Sequence, residues 1–167
     1  MNSKKILIIG GSGYIGTVIT KYLLDKGKRI VNLDNHLFDN DFAISKFKND
    51  KNYTFIKGDL LNTKDLEKSS TGVTDIIILA CIVGDPLSKK YPKTANKINE
   101  KGIKNCLKFF NKKNISKVIF ASTCSNYGLI KDEELADENF ILNPLSIYAK
   151  TKVNVEKYIC LLYTSPS

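Results

Sequence analysis

Apolar positions along the chain alternate between short continuous runs and helical stripes. Lys5-Ile-Leu-Ile-Ile9 is a compact β-branched run that ends at glycines, the pattern of a buried strand. From Tyr14 to Lys26 the residues Ile15, Val18, Ile19, Tyr22 and Leu23 recur at helical spacing, which predicts an apolar face, and Gly27 predicts the stop. A second strand is predicted over Arg29 to Leu33, a third over Tyr53 to Lys57, a fourth over Asp75 to Ala80 and a fifth over Lys117 to Ala121. Residues 39–48 read equally as a short helix or a loop. Thr63 to Lys68 reads as a short helix with Thr63 as N-cap. Residues 93–111 read as one long amphipathic helix with Ile98, Ile103, Cys106, Leu107 and Phe110 inward. A last helix is expected from Asn143 as N-cap and Pro144 at the first helical position.

Continuous apolar strands alternating with helices predict an α/β fold, a parallel sheet covered on both faces. Right-handed crossovers favour a doubly wound arrangement, with a ligand at the carboxyl ends of the strands near the switch between strands one and four. No repeat or low-complexity linker divides the 167 residues, which suffice for one ordinary core.

Composition changes this picture little. The net charge is +9, yet Arg29 is the only arginine and the lysines are scattered, so a solvated lysine-rich surface is expected and no nucleic-acid partner. Cys81, Cys106, Cys124 and Cys160 form no C-x-x-C pair, which argues against a metal site and for reduced cytosolic thiols. His36 is the sole histidine, leaving little room for Cys-His or Ser-His-Asp chemistry. No apolar run approaches the roughly 18 residues of a membrane span, and the stretch before Gly10 is too short for a secretory signal, so a cytoplasmic protein with no membrane partner is expected.

The first strand runs into Gly10-Gly-Ser-Gly-Tyr-Ile-Gly16. It reads either as G-x-G-x-x-G from Gly11, Gly13 and Gly16, or as glycines three apart at Gly10, Gly13 and Gly16. Both readings permit a tight turn, backbone approach to a pyrophosphate and close helix-on-strand packing, with the helix N-terminus aimed at the phosphates. Asp34 follows Gly16 by eighteen positions, at the end of strand two. A carboxylate there accepts from both adenosine ribose hydroxyls and repels a 2′-phosphate, which favours NAD over NADP. Asp59, after strand three, is suited to the adenine amino group with Leu60 lining that pocket, or to a plain turn.

Tyr148 and Lys152 lie four apart and share one helix face. A lysine cation at ~4–5 Å and an effective dielectric of about 20 favours the phenolate by roughly 3–4 kcal/mol. That would bring the phenol ~2–3 pH units below its reference of about 10, making it a base near neutral pH. Thr123, at the end of strand five, could hold the same substrate oxygen.

With these motifs in order, the chain resembles the cofactor-binding part of an extended short-chain dehydrogenase/reductase, the NAD-dependent nucleotide-sugar epimerase/dehydratase family. The resemblance rests on Gly10–Gly16, Asp34-Asn35, Gly58-Asp59-Leu60, Leu79-Ala80-Cys81, Asn99 with Gly102, Ser122-Thr-Cys-Ser-Asn-Tyr-Gly128 and Pro144–Lys152. It implies a Rossmann-like fold and a catalytic set of Thr123, Tyr148 and Lys152. It also implies an NAD site lined by Gly10, Gly13, Tyr14, Ile15, Gly16, Asp34, Asn35, Asp59, Leu60, Leu79, Ala80, Cys81, Asn99, Tyr148 and Lys152, with Asn99 keeping geometry. The implied reaction on a nucleotide sugar removes a hydride to NAD while Tyr148 takes the hydroxyl proton. Cys124 and Ser125 stand where dehydratases carry a carboxylate pair, which leaves epimerase or keto-sugar reductase ahead of dehydratase. A non-catalytic NAD-binding module is the alternative from another class. Ile78 and Val83 depart from the family's frequent histidine and lysine.

Family members are nearly twice as long, so the expectation is a cofactor domain over residues 1–160, no C-terminal substrate domain, and a non-native or frayed tail over 161–167. The resemblance also implies a homodimer through helices at 93–111 and 144–160.

Overall fold

The computed structural model describes residues 4–131 and 134–164. The chain forms two compact units. One comprises the residues up to Ala80 with Cys106–Ala121, the other Cys81–Asn105 with the residues from Ser122 on.

The first unit is a five-stranded parallel sheet in the order β3-β2-β1-β4-β5, built from β1 (Lys5–Ile9), β2 (Arg29–Asp34), β3 (Tyr53–Lys57), β4 (Asp75–Ile78) and β5 (Lys117–Phe120). The sequence reverses direction across the sheet between β1 and β4, the expected doubly wound switch point. Register places Ile9 opposite Leu33 on one side and opposite Ile78 on the other. β1 and β4 are buried along almost their whole length, as strands covered on both faces must be. Their apolar side chains join Ile30, Ile44, Phe47 and Tyr53 in the core.

Helix α1 (Tyr14–Asp25) leaves the glycine turn after β1. Its buried face is not the expected stripe: Gly16, Thr17 and Thr20 are buried, whereas Ile15, Val18 and Tyr22 are exposed. Only Ile19 and Leu23, with Leu24, pack on the core. The reason is steric, because the first turn lies against the Gly11 backbone, where only small residues fit. Gly27 ends the helix at φ +68°. Its N–H donates to Leu24 O at 2.8 Å, and that of Lys28 donates to Leu23 O at 3.0 Å.

The ambiguous stretch becomes α2 (Asp41–Ile44) followed by a 3-10 turn at Ser45–Phe47. Helix α3 (Thr63–Ser70) is capped by Asn62, whose Oδ1 accepts from Lys64 N at 3.0 Å, so the cap lies one residue before Thr63.

The second unit opens with α4 (Asp85–Lys90), which the sequence pattern did not predict, and α5 (Pro92–Ala95). The long helix expected over 93–111 is interrupted: Asn96–Gly102 forms a π-helical turn before α6 (Ile103–Asn111) carries the chain into the first unit. Ile103, Cys106, Leu107 and Phe110 are buried as expected.

The last helix, α7 (Ile147–Thr164), starts later than Asn143-Pro144 predicts. Ser146 Oγ accepts from Ala149 N at 3.1 Å and acts as the cap, while Asn143 N is drawn to Asn126 O at 2.9 Å. Helix α7 continues through Leu161 and Leu162 to Thr164; the rest of the expected tail lies outside the described residues. No helix among the described residues is long and apolar enough to cross a membrane.

Candidate active site

The glycine turn is set by contacts that exclude any side chain. Gly10 holds φ +84°, and a Cβ there would sit 2.5 Å from Ala80 N, just where β4 ends. A Cβ on Gly16 would meet the Gly11 backbone at 2.6 Å. Gly13 differs, because the nearest atom to its would-be Cβ is Gly10 O at an ordinary 3.6 Å. The protein itself therefore leaves room at Gly13, as expected for a face kept open to a ligand. Beyond it the first N–H groups of α1 have no intrahelical acceptors and the positive end of the helix dipole points outward. Tyr14 and Ile15 are exposed there.

Asp34 ends β2. Its Oδ2 accepts from Ser12 N at 3.0 Å and its Oδ1 from His36 N at 2.9 Å. An ionised carboxylate has about four acceptor positions, so two remain for the two hydroxyls of a ribose. Asn35 is exposed and its Oδ1 accepts from Leu37 N at 3.1 Å. Asp59 turns back on its own chain, Oδ1 accepting from Leu61 N at 2.9 Å, while its N–H donates to Asp65 Oδ2 at 2.9 Å. The turn role of Asp59 is thus present in the structure, with Leu60 buried beside it in sequence. Leu79 N and Ala80 N both donate to Ile9 O, at 2.8 and 2.9 Å, which ends β4 and leaves these residues half-buried. Backbone donors at the turn, an open Gly13 and a carboxylate with free lone pairs fit a dinucleotide with an unphosphorylated ribose.

In the second unit, Asn99 lies fully buried in the π-helical turn. Its Oδ1 accepts from Ile82 N at 2.8 Å and its Nδ2 donates to Ile82 O at 3.0 Å. Both ends of the amide are spent on one residue of the backbone, which makes Asn99 a keeper of geometry. Thr123 Oγ1 accepts from Ser125 N at 3.2 Å and caps the 3-10 turn Cys124–Tyr127. The same side chain is hydrogen-bonded to Tyr148. Lys152, one turn along α7, is buried, with Nζ 5.7 Å from the centre of the Tyr148 ring.

The electrostatics differ from the expected lowering of Tyr148 by Lys152. Burial pushes the Tyr148 phenol up, Cys81 adds to the rise, the Thr123 hydrogen bond opposes it, and Asp85 and Cys124 add the rest. Burial also pushes Lys152 down, against Cys81 and Glu156. The physical reason is that the ammonium lies over the ring face and is hydrogen-bonded to the Cys81 thiol. Burial raises that thiol in turn. A desolvated tyrosine stays a phenol unless further positive charge approaches it.

Two residues of this centre were missed in the sequence. Glu156 faces Lys152, and its Oε1 accepts from Asn126 Nδ2 at 3.0 Å. Asn126 is buried and also donates to Ser122 Oγ at 3.0 Å. The spacing of Glu156, four after Lys152, carried the signal; nothing local to Asn126 did.

A parallel sheet with a glycine turn at its switch point defines a Rossmann-like nucleotide-binding fold. The model of the NAD-dependent epimerase/dehydratase family matches residues 6–163, and the chain belongs to that family, whose members act as enzymes on nucleotide sugars. The UDP-glucose epimerase YtcB of Bacillus subtilis, itself described as uncharacterized, is 36% identical over 95% of this chain and 51% of its own length. Among solved structures, the UDP-glucuronic acid 4-epimerase of Bacillus cereus, in complex with UDP-glucuronic acid and NAD, matches with TM-score 0.88. It is 26% identical, over 96% of this chain and 52% of that one. The UDP-N-acetylglucosamine 4-epimerase of Methanobrevibacter ruminantium, in complex with UDP-N-acetylmuramic acid, matches with TM-score 0.85. It is 30% identical, over 99% of this chain and 52% of that one. The chain spans about half the length of the relatives it matches.

Proposed function

We propose that this chain is the cofactor-binding part of an NAD-dependent nucleotide-sugar epimerase, with residues 1–160 as the cofactor domain. The observation that carries the reading is the hydrogen-bonded Thr123–Tyr148 pair with buried Lys152 alongside, in a chain of this family. The named 4-epimerases among its relatives support the choice of epimerase. Gly10, Gly13, Tyr14, Ile15, Gly16, Asp34, Asn35, Asp59, Leu60, Leu79, Ala80, Cys81 and Asn99 serve the dinucleotide, with Asp34 selecting NAD.

Thr123 and Tyr148 hold the sugar hydroxyl and Tyr148 receives its proton. When bound, oxidised nicotinamide supplies the hydride acceptor and a positive charge. Because burial, with Cys81, Asp85 and Cys124, raises the phenol, Tyr148 becomes a base only in the cofactor-loaded state, which prevents idle ionisation. Reduced cysteines support a cytoplasmic location, and the family resemblance supports a homodimer through the regions 93–111 and 144–160.

The raised phenol also favours a second reading, a non-catalytic NAD-binding module. Calorimetric titration with NAD, followed by Tyr148→Phe in the full-length parent, separates the readings. Under the proposal NAD binds, and the substitution leaves its affinity within about twofold while turnover falls about 100-fold or more. Equal turnover in Tyr148→Phe removes the catalytic reading, and no NAD effect at millimolar cofactor removes both.

A further inference from the structure

A buried polar chain lies under the loop after β2, and the proposed chemistry does not use it. Asn32, fully buried in β2, donates through Nδ2 to Tyr53 Oη at 2.9 Å and to Ser12 Oγ at 3.1 Å. Ser12 Oγ is 2.9 Å from His36 Nε2, and His36 Nδ1 faces Asp41 Oδ1 at 2.6 Å. With Ser12 Oγ already accepting from Asn32, its own hydrogen is free for Nε2, while buried Nδ1 lies close to the Asp41 carboxylate without an aligned hydrogen bond.

This chain grips the two segments that form the ribose end of the dinucleotide cradle. Ser12 belongs to the glycine turn, and its N–H is one of the two donors to Asp34. His36 supplies the other donor through its own N–H. Asn40 Nδ2 adds a hydrogen bond to Ser12 O at 2.7 Å. The His36 ring is buried and stacked on Phe55 with centroids 4.6 Å apart, although its backbone is left-handed at φ +54°. A non-glycine residue rarely adopts that conformation unless its surroundings impose it. The loop has carboxylates at Asp34, Asp39 and Asp41 and neither lysine nor arginine. Admitting a 2′-phosphate would require the loop to swing Asp34 aside, and the His36 clamp opposes that movement.

We infer that His36 is a positioning residue that determines dinucleotide specificity: through Ser12 and Asp41 it locks the loop after β2, so that Asp34 meets two free ribose hydroxyls and a 2′-phosphate is refused. The inference rests on the reading that the chain binds NAD. Calorimetric titration of NAD and NADP with wild type, His36→Ala and His36→Gln tests it. Wild type prefers NAD. His36→Ala weakens NAD about tenfold and NADP much less, so the preference falls at least about fivefold. His36→Gln, whose amide can still meet Ser12 Oγ, restores most of the preference. If His36→Ala does not fold, Asp41→Ala carries the same test, since that side chain is largely exposed. Equal weakening of both dinucleotides, or an unchanged preference in the variants, overturns the inference and leaves NAD binding standing. Wild type that binds neither dinucleotide overturns the NAD reading itself, and the inference with it.

Discussion

In the first unit, the groups suited to a dinucleotide are backbone amides and one carboxylate, held by contacts of the chain with itself. Gly10 is pressed against Ala80, Gly16 against Gly11, and Asp34 is pinned by two N–H groups. In the second unit, the groups suited to proton transfer are side chains whose charge is set by burial and by one another. Tyr148 is raised, with Cys81 adding to the rise, and Lys152 is lowered, with Cys81 opposing the fall. The difference teaches what each region is sensitive to. A backbone cradle fails when an atom is added to it, whereas a side-chain centre fails when a partner is removed from it.

The sharpest way to break that contrast is to add one methyl group at two glycines. Gly10→Ala combines a left-handed backbone with a contact into Ala80, and we expect a loss of about 3 kcal/mol or more in thermal or urea unfolding. Gly13→Ala meets nothing closer than 3.6 Å, and we expect a stability change below about 1 kcal/mol together with loss of most NAD affinity. If both variants melt alike, the turn is not shaped by the contacts described.

Removing a partner in the second unit gives the next effect. Asn99→Ala strands the buried N–H of Ile82, whose C=O keeps Ser88 Oγ at 3.4 Å, at an expected cost of about 1–3 kcal/mol by urea denaturation. Asn99→Asp, which keeps the acceptor but loses the donor, should fall between. A neutral Asn99→Ala would mean that the π-helical turn holds without the amide.

The smallest effect involves no mutation. Burial pushes the Cys106 thiol up to about 12, while Cys124 is exposed. Alkylation with iodoacetamide at pH 8, read by mass spectrometry of peptides, should label Cys124 at least about 100-fold faster than Cys106. Comparable rates would show that α6 opens readily.

Much of the first unit was legible because strands and turns are local. Lys5–Ile9 and Tyr53–Lys57 match their predicted bounds, since β-branched runs closed by glycine or polar residues admit few alternatives. The face of α1 was misread, because the sequence offers bulky residues at helical spacing and the close approach to Gly11 demands small ones. The π-helical turn was invisible as well. It depends on Asn99 reaching Ile82, a hydrogen bond across seventeen positions. Helix α7 begins at Ile147 because Ser146 supplies the cap and Asn143 is held by Asn126, a choice that Asn143-Pro144 alone does not reveal.

By itself the sequence determined the alternation of strands and helices, the doubly wound class, the glycine turn and the order of Thr123, Tyr148 and Lys152. These follow from periodicity, from the conformational freedom of glycine and from spacing along one chain. Only the tertiary structure decided the directions in which the Tyr148 and Lys152 pKa values move, the spending of both Asn99 amide atoms on Ile82, and the linkage of Ser12, His36 and Asp41. Desolvation and hydrogen bonding between segments distant in sequence are properties of the packed interior, and no local pattern encodes them.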